Sequence, residues 1–243
     1  MIPTIEQIKK GLGQTPIYPT KYPISQGFGK ENTYSSILSW YTAIGMLGHN
    51  GIDYGCPKGT RLVAPIDFTV SNFNYADQDP NGYGTTLWGR SKPFIVDGVT
   101  YAIEIIFGHL TDFIAGIGLG KEYKQGADCC ISGNTGLYTT GPHLHQGWRV
   151  VQLQTNGGWL AINKDNGYKG YFDQLLLMKK TMLIVKTVSS PHHYLIQGNK
   201  RIMLVDLPVL TAFSEATIQT IDQSDMDKYQ DGGTLVWVER IIN

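Results

Sequence analysis

The sequence S-G-N-T-G-L-Y-T-T-G-P-H-L-H, residues Ser132 to His145, carries the strongest structural signal in this chain. His143 and His145 lie two positions apart, so on a β-strand both side chains point to one face while Leu144 turns into the core. Pro142 stiffens the entry to the strand, and the glycines before it let the preceding loop turn sharply. The pattern predicts a strand that presents two imidazoles to one cleft.

Two further segments contain histidines: G-H-N-G-I-D-Y, Gly48 to Tyr54, and F-G-H-L, Phe107 to Leu110. His49 and Asp53 are four positions apart and share a face on a strand or on a helix, although the surrounding glycines argue against the helix. One imidazole and one carboxylate that converge on a single ion suit zinc. Each segment is a weak signal alone, but the three together predict a metal site that includes or adjoins His109.

The rest of the composition indicates a β-rich protein. Glycine supplies 29 of 243 residues and charged residues only 16%, whereas a typical domain has roughly 7% glycine and 25% charged residues. Asp97-Gly98 is a strong signal for a two-residue hairpin. From Tyr101 to His109 the sequence alternates, which predicts a strand with Tyr101, Ile103, Ile105, Phe107 and His109 on one face. Thr4 and Gln7 have the spacing of a capping box, so a short first helix is expected.

The charges argue against two classes of partner. Twenty basic and twenty acidic side chains cancel, so no overall field favours nucleic acid or an anionic membrane. No stretch approaches the length of a membrane span, and residues 1–13 lack the apolar core of a signal peptide. We therefore expect neither nucleic-acid binding nor membrane insertion.

The three cysteines, Cys56, Cys129 and Cys130, do not suggest a disulfide framework, because their number is odd and two are adjacent. Adjacent residues on a strand point to opposite faces, so we expect that this pair does not grip one metal ion. The cysteines are interpreted as small core residues. The pair His192-His193 is interpreted as a surface feature.

Together with G-F-G at Gly27 to Gly29 and G-T-R-L-V-A-P at Gly59 to Pro65, these motifs carry a family resemblance. Residues 23–151 resemble the lysostaphin-type zinc endopeptidases of bacterial walls and phages. The resemblance implies one Zn²⁺ per chain, with His49, Asp53 and His145 as the ligands. It also implies that His109 and His143 are the catalytic pair.

The resemblance further implies a mainly β fold, in which an antiparallel sheet floors a narrow cleft suited to a thin, extended peptide. The expected substrate is a peptidoglycan stem or cross-bridge, cut by a phage lysin or by a wall hydrolase of the virion tail. The expected location is then the phage virion, or the host cytoplasm before release. The expected protein partners are other phage tail proteins. The alternative is a tail or baseplate component that uses this fold for wall recognition with little turnover. A bacterial remodelling hydrolase is the third hypothesis, disfavoured by the missing secretion signal.

Three features depart from the family pattern. The segment Thr33 to Leu47 is longer than usual, which predicts a remodelled cleft wall. A tyrosine often binds the developing oxyanion in this family; its position is not readable from the motifs, and Tyr41 and Tyr34 are the candidates. Gln146 follows the last histidine, where an aromatic or aliphatic residue is common, and it predicts a change in packing.

The chain is predicted to divide into three parts. Residues 1–22 form a helix and an extended strap, residues 23–180 the peptidase domain, and residues 181–243 a small α+β module. In the module we expect a strand at Thr181 to Val188, a hairpin around Gly198-Asn199 and a helix near Leu207 to Phe213. The module resembles one that recurs in surface and phage proteins; it serves either in wall binding or attachment or as a structural cap.

Overall fold

The computed structural model describes residues 2–76, 82–178, 183–187, 192–197, 200–204, 217–221, 223–227 and 230–235. The chain divides into two units, Met1–Lys179 and Lys180–Asn243. The first unit contains a large and a small sheet, and the second contains a sheet of its own. All the histidine motifs lie in the first unit.

The described part of the first unit has thirteen strands, and their pairings are antiparallel. In chain order they are β1 (Ile24–Gln26), β2 (Ile52–Tyr54), β3 (Arg61–Val63), β4 (Phe68–Asn74), β5 (Thr85–Arg90), β6 (Phe94–Val96), β7 (Val99–Leu110), β8 (Asp112–Phe113), β9 (Glu122–Tyr123), β10 (Asp128–Ile131), β11 (Leu144–Leu153), β12 (Trp159–Ala161) and β13 (Tyr171–Phe172). The large sheet has the order β1-β2-β11-β7-β5-β4-β9, with β6 paired to β7 and with β12 and β13 paired to β11. Strands β3, β10 and β8 form the small sheet. The predicted mainly β, antiparallel fold is confirmed.

Strands β2, β11 and β7 bring the motif residues together. Asp53 of β2 lies opposite His145 of β11, and His145 lies opposite Gly108 of β7. Residues directly opposite each other in an antiparallel pair project from the same face of the sheet. The register therefore places the carboxylate and the imidazole side by side, and Tyr83 packs against the glycine, where a Cβ would lie 3.4 Å from Cδ1 of Tyr83.

The opposite face of the same strands forms the core. Tyr101, Ile103, Ile105 and Phe107 of β7 are buried there, and Leu144 of β11 joins them. The alternation predicted for these four β7 residues is confirmed. Full burial of a large apolar side chain stabilises a fold by about 1.5–3 kcal/mol, so this face fixes the register on which the motif side chains depend.

The two residues of the predicted hairpin turn, Asp97 and Gly98, have φ angles of 49° and 77°. Val96 and Val99 face each other across the turn. Positive φ at both central residues defines the type I′ turn, whose twist matches that of the flanking strands. The predicted hairpin is confirmed.

The prediction for His109 was wrong in one respect. His109 does not continue the core face of Tyr101 to Phe107, because its φ of 59° breaks the regular strand geometry. The imidazole lines the cleft with Asp53 and His145 instead. A non-glycine residue with positive φ is uncommon and strained, and such residues cluster at functional sites.

The geometry expected for Cys129 and Cys130 was also wrong. Their Sγ atoms lie 3.6 Å apart, and both side chains are buried. The register between β10 and β3 shifts between Asp128 and Cys130, and such a bulge interrupts strict alternation. All three cysteines are free and buried in the core, as expected for small core residues.

Helix α1 (Ile5–Leu12) begins at the predicted capping box, in which Thr4 and Gln7 exchange hydrogen bonds between side chain and backbone. Helix α2 (Leu38–Ala43) follows a 3₁₀ turn, Ser35–Ile37, within the longer segment that the sequence singled out. Near the end of the unit, a single 3₁₀ turn at Gln174–Leu176 is capped by the Asp173 side chain.

The described residues of the second unit form a mixed sheet and one short helix. Its elements are β14 (Leu183–Thr187), β15 (His193–Gln197), β16 (Lys200–Leu204), β17 (Thr217–Ile221), α3 (Gln223–Met226) and β18 (Gln230–Leu235). The sheet order is β17-β14-β15-β16-β18, with the outer strands parallel to their neighbours. The expected helix near 207–213 and the turn at 198–199 lie outside the described residues. Among the described residues, no helix is long and apolar enough to cross a membrane.

Candidate metal centre

Three side chains meet at the end of β2 and β11. Nε2 of His49 lies 3.0 Å from Nδ1 of His145 and 3.1 Å from Oδ1 of Asp53. Nδ1 of His145 lies 2.9 Å from the same carboxylate oxygen. Three potential ligand atoms therefore form a small triangle, and these are the residues that the sequence named as ligands.

The triangle has the dimensions and the chemistry of a cation site. Nδ1 of His49 donates to the carbonyl oxygen of Gly27 at 2.8 Å, which leaves a lone pair on Nε2. Three acceptor atoms in mutual contact cannot all be satisfied by one shared proton, whereas one divalent cation satisfies all three. Tetrahedral zinc bonds place ligand atoms roughly 3.3 Å apart. The donor set therefore fits zinc, the predicted cofactor.

Electrostatics keep Asp53 ready for a cation. Burial acts to raise the pKa of this carboxyl, but the charge of His49 and the hydrogen bond with His145 outweigh it, so the pKa of Asp53 lies well below its usual range. Burial lowers the pKa of His145, with the hydrogen bond to Asp53 opposing it. Both residues are thus held in the deprotonated forms that bind metal.

Close backbone approaches hold His49 in place. His49 forms an isolated β-bridge with Gly29, and its backbone N–H donates to the Thr33 hydroxyl at 2.8 Å. A Cβ at Gly48 would lie 2.6 Å from Cα of Lys30, so only glycine fits there without movement of the backbone. Gly48 therefore allows the backbone at Lys30 to pack against the loop that carries His49.

His109 and His143 stand beside the triangle, with their ring centroids 4.6 Å apart. Nδ1 of His109 donates to the carbonyl of Thr135 at 2.8 Å, and Nδ1 of His143 donates to the carbonyl of Gly141 at 2.7 Å. In this tautomer each ring keeps a lone pair on Nε2. Nε2 of His143 lies 3.8 Å from Oδ2 of Asp53, so the lone pair is directed towards the metal site.

Burial, reinforced by the neighbouring His145 and His143, lowers the pKa of His109 to about 3. The ring is therefore neutral across the physiological range. A neutral imidazole whose Nδ1–H is occupied can accept a proton at Nε2. His109 is thus a hydrogen-bond acceptor towards the cleft at neutral pH.

The segment from Thr33 to Leu47 forms one wall of the cleft, through Ile37, Trp40, Tyr41 and Ile44. The Tyr41 ring lies 5.9 Å from that of His49. Burial, followed by the nearby Asp53 charge, raises the pKa of the Tyr41 hydroxyl, so it remains a donor at neutral pH.

The other tyrosine candidate, Tyr34, is 56% exposed and donates its hydroxyl proton to the carbonyl of Ser25 at 2.6 Å. That proton is already used. Of the two candidates, the cleft therefore favours Tyr41 as a hydrogen-bond donor.

Sequence reasoning missed Tyr83 and Asn50. Asn50 donates its side-chain N–H to the Tyr83 hydroxyl at 2.7 Å, and the Tyr83 ring lies 5.2 Å from that of His145. The Tyr83 carbonyl also accepts from the backbone N–H of His109. The available signal was the position of Tyr83 between Gly82 and Gly84, both of which have positive φ.

The remaining sequence expectations concern residues away from the triangle. Gln146 is fully buried and its backbone and side-chain oxygens both accept from the Gln174 amide, which is the change in packing expected there. His192 is exposed in the second unit, and neither it nor His193 is part of the metal cluster found among the described residues.

No family model matches this chain. A protein of Haemophilus influenzae described as an uncharacterized metalloprotease is 29% identical over 102 residues, which cover 42% of this chain and 18% of that protein. This chain thus spans less than a fifth of that relative's length.

Two solved structures share part of the backbone. LytU is 28% identical, with 52% of this chain and 70% of that chain covered and a TM-score of 0.36. The antimicrobial peptidase lysostaphin from Staphylococcus simulans is 20% identical, with 74% and 66% covered and a TM-score of 0.43. Scores below 0.5 describe a partial overlap of two backbones and do not by themselves define a common function.

Two properties of this chain bear on its family. Its motifs occur in the order and with the spacing described above, and the fold brings His49, Asp53 and His145 to one point. The relative that matches 102 residues of this chain at 29% identity is described as an uncharacterized metalloprotease. Over that region the chain is similar to a protein described as a metalloprotease, and its own fold supplies a candidate metal centre.

Proposed function

We propose that this chain is a zinc-dependent endopeptidase that hydrolyses peptide bonds in peptidoglycan stems or cross-bridges. The single observation that carries the proposal is the triangle of His49, Asp53 and His145, with two further imidazoles beside it in one cleft. Three protein ligands leave one open position, the mark of a catalytic rather than a structural site. Zinc bound there supplies an activated water molecule and polarises the scissile carbonyl.

In this proposal His49, Asp53 and His145 are the zinc ligands. The carbonyl of Gly27 orients the first imidazole through its Nδ1–H, and a partner of this kind fixes the tautomer and raises the basicity of a ligand. Asp53 contacts both imidazoles within 3.1 Å, so it fixes their separation as well as supplying charge.

His109 and His143 are proposed to move protons between water and the leaving amine. Both rings direct an Nε2 lone pair into the cleft because backbone carbonyls hold their Nδ1–H groups. One ring accepts the water proton, and a protonated ring delivers a proton to the amine. Because the Nδ1–H groups of both rings are held by backbone carbonyls, we propose that the Tyr41 hydroxyl makes the hydrogen bond to the oxyanion.

The setting in which the enzyme acts is a separate proposal. The resemblance of the second unit to a module of surface and phage proteins supports a phage lysin or a virion-borne wall hydrolase. In that proposal residues 181–243 attach the peptidase domain, residues 23–180, to the wall or to the particle. Detection of the protein by mass spectrometry in purified particles tests the virion assignment, and its absence there would exclude it.

The enzyme is tested by a zymogram on purified bacterial walls, with and without a chelator. We expect clearing that the chelator abolishes and that added zinc restores. His143→Ala should keep stoichiometric zinc but lower turnover by about 10²–10⁴-fold. His192→Ala is the matched control, because that histidine lies in the second unit. Full activity in the His143→Ala protein would contradict the assignment, and mass spectrometry of the released fragments identifies the bond that is cut.

A further inference from the structure

One wall of the cleft is apolar where it faces the metal centre. Ile37, Trp40, Ile44 and Met46 line it on one side, and Tyr138 lines it on the other. The first four come from the long segment between the G-F-G motif and the ligand loop. They face the same space as Asp53, His143 and His145.

The cleft offers no charge beyond the metal centre. Among the described residues that line it, the ionisable side chains are Asp53, the histidines and the tyrosines, and no lysine, arginine or glutamate is present. Once Asp53 is committed to a metal ion, a charged substrate group has no partner in this wall. Burial of an unpaired charge is strongly unfavourable.

Two large rings that line the cleft keep much of their surface uncovered. Trp40 is 37% exposed and Tyr138 is 42% exposed. Their ring centroids are 6.2 Å apart, in a tilted contact between α2 and the loop that precedes His143. A peptide side chain that enters between the metal and these rings would cover apolar surface on both.

We propose that this wall is an apolar subsite that selects peptides with an uncharged, apolar side chain next to the scissile bond. It disfavours oligoglycine, which has no side chain to cover Trp40, and it disfavours charged side chains, which find no partner. The inference rests on the proposed function and names the substrate class of the same cleft. The difference of one methylene in an apolar pocket gives roughly 10–200-fold discrimination, so a full aliphatic side chain should exceed the lower figure.

The test uses the zinc-loaded full chain and three capped hexapeptides: hexaglycine, and the same peptide with one internal glycine replaced by leucine or by glutamate. Binding is measured by calorimetry, and cleavage is measured by chromatography. We expect the leucine peptide to bind at least about tenfold more tightly than hexaglycine, and the glutamate peptide to bind most weakly. Trp40→Ala should bring the leucine-to-glycine ratio close to one while zinc content stays unchanged.

Trp159→Ala is the matched control, because that tryptophan packs on β11 and Arg90 away from the cleft. It should leave the leucine-to-glycine ratio unchanged. Equal dissociation constants for the leucine and glycine peptides in the wild-type protein would overturn the proposal, and so would an unchanged ratio in Trp40→Ala. Failure of the protein to clear walls would instead refute the endopeptidase, because peptide binding is measured independently of turnover.

Discussion

A substitution at Gly51 tests the metal centre without changing any of the proposed ligand residues. A Cβ added at this position would lie 2.7 Å from Cε1 and 2.8 Å from Nε2 of His145, and 2.6 Å from the carbonyl oxygen of Gln146. To regain ordinary van der Waals contact the imidazole must move by about 0.6 Å. Zinc–ligand distances tolerate only about ±0.2 Å, so Gly51→Ala should pull His145 out of position.

We expect Gly51→Ala to weaken zinc binding about 10–100-fold, the range found when the support of a ligand is altered. This corresponds to about 1.4–2.7 kcal/mol. The contact with the Gln146 carbonyl should also lower the free energy of unfolding by about 1–3 kcal/mol, the usual cost of overpacking. Competition with a chromogenic chelator measures the first effect, and urea unfolding of the metal-free protein measures the second.

Gly118→Ala is the control, because an added Cβ meets nothing within 4 Å there. It should change neither quantity. A Gly51→Ala protein that binds zinc as tightly as the wild type would refute the assignment of His145 as a zinc ligand that packs against Gly51.

Three further predictions follow from the cleft. Tyr41→Phe should retain zinc but lower kcat by about 10²–10³-fold, the cost of losing one oxyanion donor; steady-state kinetics on a wall fragment, with zinc analysis, checks this. The pKa of His109 is lowered to about 3 in the folded chain. Between about pH 6.5 and pH 3 the unfolded metal-free chain therefore binds one more proton than the folded chain does. Stability should therefore fall as the pH falls through that window, and His109→Gln should flatten the urea midpoints measured from pH 7 to pH 4. At Gly136 φ is 97°, and an added Cβ would lie 2.5 Å from the backbone of Gly82. Gly136→Ala should therefore displace the loop that carries the Thr135 carbonyl. Turnover should fall, while the zinc content, measured by atomic absorption, should be retained.

Spacing predicted that His49 and Asp53 share a face and that His143 and His145 enter one cleft, but the ligand set itself came from the family resemblance. His145 and Asp53 each lie on a strand, where a separation of two or four residues decides the face whatever the rest of the fold does. The pairing of β2 with β11 then needed only the antiparallel register to bring them together. Tyr83 lacked such a rule, because its approach to His145 depends on the backbone conformation at Gly82 and Gly84, which no local spacing encodes.

Two local predictions failed for one physical reason. Alternation was extended through His109 and through Cys129-Cys130, yet positive φ at His109 and a register shift beside Cys130 interrupt it. Single-residue departures of this kind follow from long-range contacts: the backbone N–H of His109 donates to the Tyr83 carbonyl, and its ring donates to the carbonyl of Thr135. An alternating pattern describes the regular geometry of a strand, so it misses a residue at which the backbone leaves that geometry and turns a side chain into the cleft.

The four imidazoles of the cleft obtain their orientation in two different ways. Three of them donate Nδ1–H to backbone carbonyls, whereas His145 directs Nδ1 at Asp53. The carbonyls that hold His109 and His143 both belong to the loop between β10 and β11, at Thr135 and Gly141. Movement of that one loop would release both rings together and leave His49, Asp53 and His145 in place. In the proposed mechanism, metal binding and proton transfer therefore depend on separate backbone contacts and can be lost separately.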